Sequence, residues 1–319
     1  MGSISVVQPG QMKPMTGHFT PLGACAQAGG LARIWPMAEI KNAAVVGGGT
    51  MGSGIVHVLA ASGIEVTLIE VRKELLDKAL ASIKTNLERQ AAKGTINREA
   101  VAKALERIHP ATELKGAEGA QIVVEAVPEI LSLKIEIFRS LDSICPSGTI
   151  LASNTSSLPV TALGAATKRA DKVVGVHFMN PVPVMKLVEL IRGIATSDET
   201  FETAKALVVK LGKTPACSKD YPGFLSNRIL MPMINEAVYA LMEGVGAKED
   251  IDTVMKLGMA HPMGPLTLAD LIGLDVCLAV MEALHEGFAD SKYRPCPLLR
   301  KMVEAGRLGR KSGEGFYKY

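Results

Sequence analysis

Aromatic residues make up only 4% of the chain, and Trp35 is its single tryptophan. A core must therefore be filled by Val, Leu, Ile, Ala and the 15 Met. An excess of one charge is missing as well: 35 Lys and Arg stand against 32 Asp and Glu, a net of +3. That is too mild for nucleic-acid recognition, yet it leaves room for a local basic patch facing an anionic ligand. Cysteine is sparse. Cys25, Cys145, Cys217, Cys277 and Cys296 form an odd, widely spaced set with no CxxC pair. Neither a disulfide framework nor a metal site is expected, and scattered thiols suit a reducing compartment. No long apolar run occurs. The uncharged stretch 42–64 contains six glycines together with Ser, Thr, His and Asn, which excludes a membrane span there.

What remains is a soluble globular composition, 48% apolar and 21% charged. A length of 319 residues allows roughly two domains. Residues 1–36 hold one Lys, one Arg and no acid. They have no apolar segment behind a basic start, so a secretory signal is not indicated. They read as an unstructured leader, with a strand-like start after Met37.

From there strands and helices alternate. Ala43–Val46 is a short apolar run cut by Gly47, Gly48 and Gly49. Met51–Ala61 reads as a helix ended by Gly63, and Glu65–Glu70 as a second strand. Residues 73–107 form a polar helical hairpin, broken at Lys93–Gly94, with Asn97 as an N-cap and Val101, Ala104, Leu105 and Ile108 in its apolar repeat. Gln121–Val127, Ile150–Ser153, Val173–Val176 and Met185–Ile191 read as strands, with a helix over Leu131–Ile144. This alternation predicts an α/β Rossmann-type, doubly wound, mostly parallel sheet with an inserted hairpin. Near Tyr221 the texture changes. Residues 224–243, 248–257, 265–286 and 297–305 carry helical periodicity, predicting an all-α C-terminal domain over 221–319 after a domain spanning 37–220.

Two motifs carry chemistry. Gly47-x-Gly49-x-x-Gly52 follows a strand and opens a helix, the context a dinucleotide loop requires. The first glycine allows the turn, the second lets pyrophosphate near the backbone, and the third lets helix pack on strand. Thr50 and Met51 stand where the helix opens, and its free N–H groups would face the phosphates. Glu70, at the end of the second strand, suits a ribose 2′-hydroxyl and hence NAD, although Arg72 and Lys73 follow directly. The second motif is His177 closing one strand, two prolines turning the chain, and Glu189 inside the next. Adjoining strands would place the carboxylate beside the imidazole, fixing its tautomer and stabilising its cation. A histidine at a strand end also occurs for structure alone. His18, His57, His109, His261 and His285 lack this context.

Seven ordered blocks are similar to those of L-3-hydroxyacyl-CoA dehydrogenases, close to the bacterial 3-hydroxybutyryl-CoA type: GGGTMGSGI (47–55), EAVPE (125–129), SNTSSL (153–158), HFMNPVPVMKLVE (177–189), PGFLSNRIL (222–230), AHPMGPLTLAD (260–270) and GRKSGEGFYKY (309–319). The resemblance implies interconversion of (S)-3-hydroxyacyl-CoA and 3-oxoacyl-CoA with NAD, in fatty-acid β-oxidation or butanoate metabolism. It implies His177 as general base, Glu189 as its orienting partner, and Ser156 and Asn227 as donors to the reacting oxygen or thioester carbonyl. It further implies Glu70, Glu129, Lys134, Ser156, Asn180 and Lys311 at the NAD site, and CoA contacts at Asn86 and Lys93. Glu70 and Asn86 depart from members with Asp and Ser there. A cytoplasmic homodimer is expected, with Leu266, Leu268, Leu271 and Ile272 against the second copy; the mitochondrial matrix is the other compartment the acid-free leader suits. Two other readings stay open at this point. One is a hydroxy-acid or gulonate-type dehydrogenase acting without CoA. The other is a catalytically silent NAD-binding protein.

Overall fold

Valine- and isoleucine-rich runs bounded by glycine, proline or polar turns become strands buried on both faces, as a parallel sheet demands. The computed structural model describes residues 39–319; the reading of residues 1–36 as a leader lies outside them. The strands are β1 (Asn42–Val46), β2 (Glu65–Ile69), β3 (Ile108–Ala111), β4 (Ile122–Glu125), β5 (Ile150–Ser153), β6 (Val173–Phe178), β7 (Leu187–Arg192) and β8 (Thr214–Lys219). They form one sheet in the order β3-β2-β1-β4-β5-β6-β7-β8. Every neighbouring pair among them is parallel except β6–β7.

The helices of this part are α1 (Thr50–Ala61), α2 (Lys73–Ala92), α3 (Arg98–Glu106), α4 (Leu131–Ile144), α5 (Val160–Ala165) and α6 (Asp198–Lys210). One face of the sheet is covered by α1, α2, α3 and α6 through residues such as Ile55, Ile83 and Phe201. The other is covered by α4 and α5 through Phe138, Leu141 and Leu163. This is the doubly wound, mostly parallel sheet expected from the sequence. The hairpin is α2 and α3. Gly94, at φ +71°, takes the break between them, and the Asn97 side chain accepts from Ala100 N at 2.7 Å to cap α3.

Three elements escaped the sequence reading. Ile108 ends no helix; it starts β3, an edge strand whose Pro110 is tolerated because an edge needs fewer ladder donors. β8 (TPACSK) is the opposite edge and holds no fully buried residue, so it lacks the apolar signature of a strand. α6 did have a signal: Ser197 caps it, accepting from Thr200 N, and Phe201, Ala204, Leu207 and Val208 repeat at helical spacing.

The C-terminal part is helical: α7 (Ser226–Met242), α8 (Lys248–Thr253), α9 (Pro265–Ile272), α10 (Leu274–Phe288) and α11 (Pro297–Glu304). The single helix expected over 265–286 is two, because Gly273 turns the chain at φ +106°. The tail is pinned back by buried Asp270, which accepts from Phe316 N and Tyr317 N at 2.9 Å each. The apolar face expected to meet a second copy is mostly spent internally. Leu266 is 0% exposed in the helical core, and of the four residues only Leu271, at 48%, is among the exposed large hydrophobics.

Candidate active site

The glycine loop is built from backbone. Gly47 sits at φ +106°, and a Cβ there would meet the Ala126 carbonyl oxygen at 2.7 Å. At Gly52 a Cβ would lie 1.8 Å from the Gly47 oxygen, so helix α1 could not start this close to β1 with any other residue. Gly49 faces open space: a Cβ there would meet nothing within 4 Å. Glu70 directly follows β2 and accepts from Gly48 N at 3.0 Å and Arg72 N at 3.3 Å, which holds the carboxylate at the rim of the loop. Lys73 is engaged along α2 with Asp77 at 3.2 Å. Gly47, Gly49, Thr50, Met51 and Glu70 line one cavity of about 580 Å³. An open glycine, free helix N–H groups and a rim carboxylate fit a dinucleotide: phosphates on the first two, a ribose hydroxyl on the third.

The antiparallel pairing of β6 and β7 sets His177 directly opposite Glu189. The imidazole Nδ1 lies 3.3 Å from Glu189 Oε2, and both side chains are buried. An edge contact from the Phe224 ring, 6.3 Å between centroids, closes one side. The start of α7 completes the carboxylate's shell. Leu225 N donates to Oε1 at 2.6 Å, Ser226 N to Oε1 at 3.3 Å, and Ser226 Oγ to Oε2 at 2.7 Å. Burial pushes the Glu189 carboxyl up, but His177, the Leu225 N–H and the Ser226 hydroxyl outweigh it, and its pKa lies below the ordinary 4.5. The carboxylate is therefore ionised throughout the neutral range. With a carboxylate at Nδ1, the favoured tautomer leaves the Nε2 lone pair free.

Ser156 stands at the head of a buried ionic chain. Glu125 is 0% and Lys134 1% exposed. Lys134 Nζ donates to Glu125 Oε1 at 2.6 Å and lies 3.3 Å from Glu129 Oε2. Glu129 Oε1 accepts from Thr155 Oγ1 at 2.5 Å, Ser156 N at 2.9 Å and Ser157 N at 3.1 Å. Burial raises the Glu129 carboxyl, and Lys134 with these donors more than offsets it, so it too falls below the ordinary 4.5. Asn227 Nδ2 donates to the Ser156 carbonyl at 3.0 Å. Asn154 Oδ1 accepts from Phe178 N at 2.9 Å, beside His177. The Ser156 loop and the histidine are thus tied together twice, once through β6 and once through α7.

The remaining expected residues stand elsewhere. Asn180 is exposed in the β6–β7 connection, where its bond to Pro181 is cis. Lys213 Nζ donates to the Val182 and Met185 carbonyls at 2.6 and 2.7 Å and anchors that connection. Lys311, in the tail, pairs with Asp275 at 2.5 Å. Lys93 caps the C-terminus of α2 and is exposed, and Asn86 is half-buried on the same helix. A cavity of about 640 Å³ opens between α2 and α3, lined by Glu88, Ala91, Ala92, Arg98 and Val101 rather than by Asn86 or Lys93. The sequence reading missed Glu125, Asn154, Lys213 and Ser226. Glu125 had a signal, a lone charge closing the apolar run IVVE. Asn154 and Ser226 sat inside quoted blocks, but polar residues at loop and helix starts give no hint of their partners.

Against this geometry, known proteins give a consistent match. Residues 42–221 match the family model described as 3-hydroxyacyl-CoA dehydrogenase, NAD binding domain, and residues 223–319 its C-terminal domain. A protein of Bacillus subtilis named probable 3-hydroxybutyryl-CoA dehydrogenase is 56% identical over 281 residues, 88% of this chain and 98% of its own. The human mitochondrial hydroxyacyl-coenzyme A dehydrogenase is 43% identical, over 88% of this chain and 91% of its own. The solved structure of an (S)-3-hydroxybutyryl-CoA dehydrogenase from Ralstonia eutropha superposes with a TM-score of 0.86 at 48% identity, covering 88% of this chain and 99% of that one.

Proposed function

The chain belongs to the 3-hydroxyacyl-CoA dehydrogenase family, an NAD-dependent oxidoreductase family, and from that membership we propose a short-chain thioester as its substrate, the 3-hydroxybutyryl-CoA/acetoacetyl-CoA couple. The names of the Bacillus and Ralstonia relatives support the short acyl group. When bound, NAD accepts the hydride from C3 of the hydroxyacyl group. Everything else falls to the chain's own residues. His177 Nε2 takes the hydroxyl proton as the alcohol becomes a ketone. Glu189 holds the ring through Nδ1 and stabilises the imidazolium that forms. Ser156 and the second amide hydrogen of Asn227 offer donors to the oxygen at C3 or the thioester carbonyl. Glu129 and Lys134 hold the Ser156 loop, and the glycine loop with Glu70 binds the adenosine half of NAD. Lys93 and Asn86 meet the CoA moiety from the hairpin, where a point cation suits phosphate.

The observation that carries this reading is the cross-strand pair of His177 and Glu189, buried and held by α7. The test is NADH oxidation with 3-oxoacyl-CoA thioesters of increasing length, beside free 3-hydroxybutyrate with NAD. The reading expects the highest kcat/KM with acetoacetyl-CoA and none with the free acid. A maximum at long chains would overturn the short-chain assignment, and turnover of the free acid alone would overturn the thioester.

The working form is a cytoplasmic homodimer on this reading. Ile229, Val245, Val254 and Leu257 are exposed apolar residues of the helical part, and Val245 and Val254 border an apolar cavity of about 510 Å³. Exposed apolar area of this kind marks an interface. Sedimentation at micromolar concentration should give twice the chain mass; a monomer would refute the dimer.

A further inference from the structure

Glu189 Oε2 has two donors, and the nearer is not the histidine. Ser226 Oγ lies at 2.7 Å and His177 Nδ1 at 3.3 Å. A carboxylate oxygen has room for both, because it carries two lone pairs. Its charge, however, is divided between them: a hydrogen bond to an anion draws density toward that donor and weakens what the other partner feels. Ser226 is placed for this by α7. It is the first residue of that helix, and its own N–H and that of Leu225 fix the other oxygen, Oε1. The carboxylate is thus clamped at both ends by one helix start, and the imidazole meets what charge is left.

We propose that Ser226 is a positioning residue of the dehydrogenase pair: its hydroxyl shares the Glu189 oxygen that faces His177 and limits the hold of that carboxylate on the imidazolium. The inference rests on the reading of His177 as general base. A base bound too strongly as its cation stays protonated and cannot accept the next hydroxyl proton. Ser226 shares the Glu189 oxygen and so moderates the carboxylate's hold on the imidazolium. The surroundings support a local effect. From β6 comes His177 itself, from β8 the uncharged Ala216 opposite Glu189, and from the α7 approach the Phe224 ring edge. The nearest cation on α7, Arg228, lies over the Phe288 ring at 4.5 Å.

The experiment is a side-chain NMR titration of His177 in the full-length protein, assigned by its loss in His177→Gln, with the pH profile of kcat/KM for hydroxyacyl-CoA oxidation measured in parallel. Ser226→Ala should raise the His177 midpoint by about 0.5 to 1 pH unit, the equivalent of one hydrogen bond to the carboxylate. The acid limb of the profile should move up by the same amount. Ser226→Thr keeps the hydroxyl and should restore both. An unmoved titration in Ser226→Ala, with His177→Gln inactive, would overturn the role of Ser226 and leave the base standing. A shifted titration with His177→Gln fully active would support the clamp and remove the base.

Discussion

The two ends of the site are built by opposite means. The glycine loop is made of backbone: absent side chains, a turn at positive φ, and helix N–H groups within a few consecutive residues. The His177–Glu189 pair is made of buried side chains, and its shell is drawn from β6, β7 and α7. A loop of the first kind fails when an atom is added. A pair of the second kind fails when an atom is removed or a charge loses its partner.

The contrast can be broken from either side. His177→Gln removes the proposed base and should lower kcat by about 10²–10⁴ while NADH binding is kept; stopped-flow turnover with NADH titration by fluorescence separates the two. Gly52→Ala adds one methyl where the Gly47 oxygen already sits. Overpacking of that kind costs about 1–3 kcal/mol, and NADH affinity should drop about 10- to 100-fold with the His177 titration unchanged. Glu125→Gln leaves Lys134 with Glu129 as its one carboxylate and should cost about 1–3 kcal/mol in denaturant unfolding. If stability and turnover both stayed at wild type, the ionic chain beneath Ser156 would be ornamental.

The smallest effect concerns pH. His57 is buried on α1, with Nε2 3.3 Å from Gln90 Oε1. Burial, aided by Lys213, holds its pKa below the ordinary 6.5. The unfolded chain therefore takes up that proton first, so stability is full above pH 6.5 and declines as pH falls below it. Glu189 acts in a lower window. Its pKa is depressed below 4.5, and its contribution is lost only as pH falls through that range. Melting temperatures of His57→Gln should lack the decline just below pH 6.5 and keep the one in the carboxylate window.

Legibility followed the same division. Gly47, Gly49, Gly52 and Glu70 could be read in order because a βαβ loop is local and its spacing is its structure. His177 and Glu189 were readable as neighbours because a short turn joins their strands. Ser156 and Asn227 needed the family resemblance, since their contact spans 71 positions and no spacing encodes it. Glu125 and Ser226 were passed over for the same reason: what makes them matter is a partner brought from another element. The missed edges, β3 and β8, lack the apolar run that marks an interior strand.

The antiparallel pairing of β6 with β7 also bears on how the protein comes together. His177 and Glu189 are only 12 positions apart, whereas Ser226 reaches Glu189 across 37. Contacts close in sequence form at a smaller loop-closure cost and tend to form sooner. His177 and Glu189 thus meet through one short hairpin closure, whereas the contact from α7 requires a closure about three times as long.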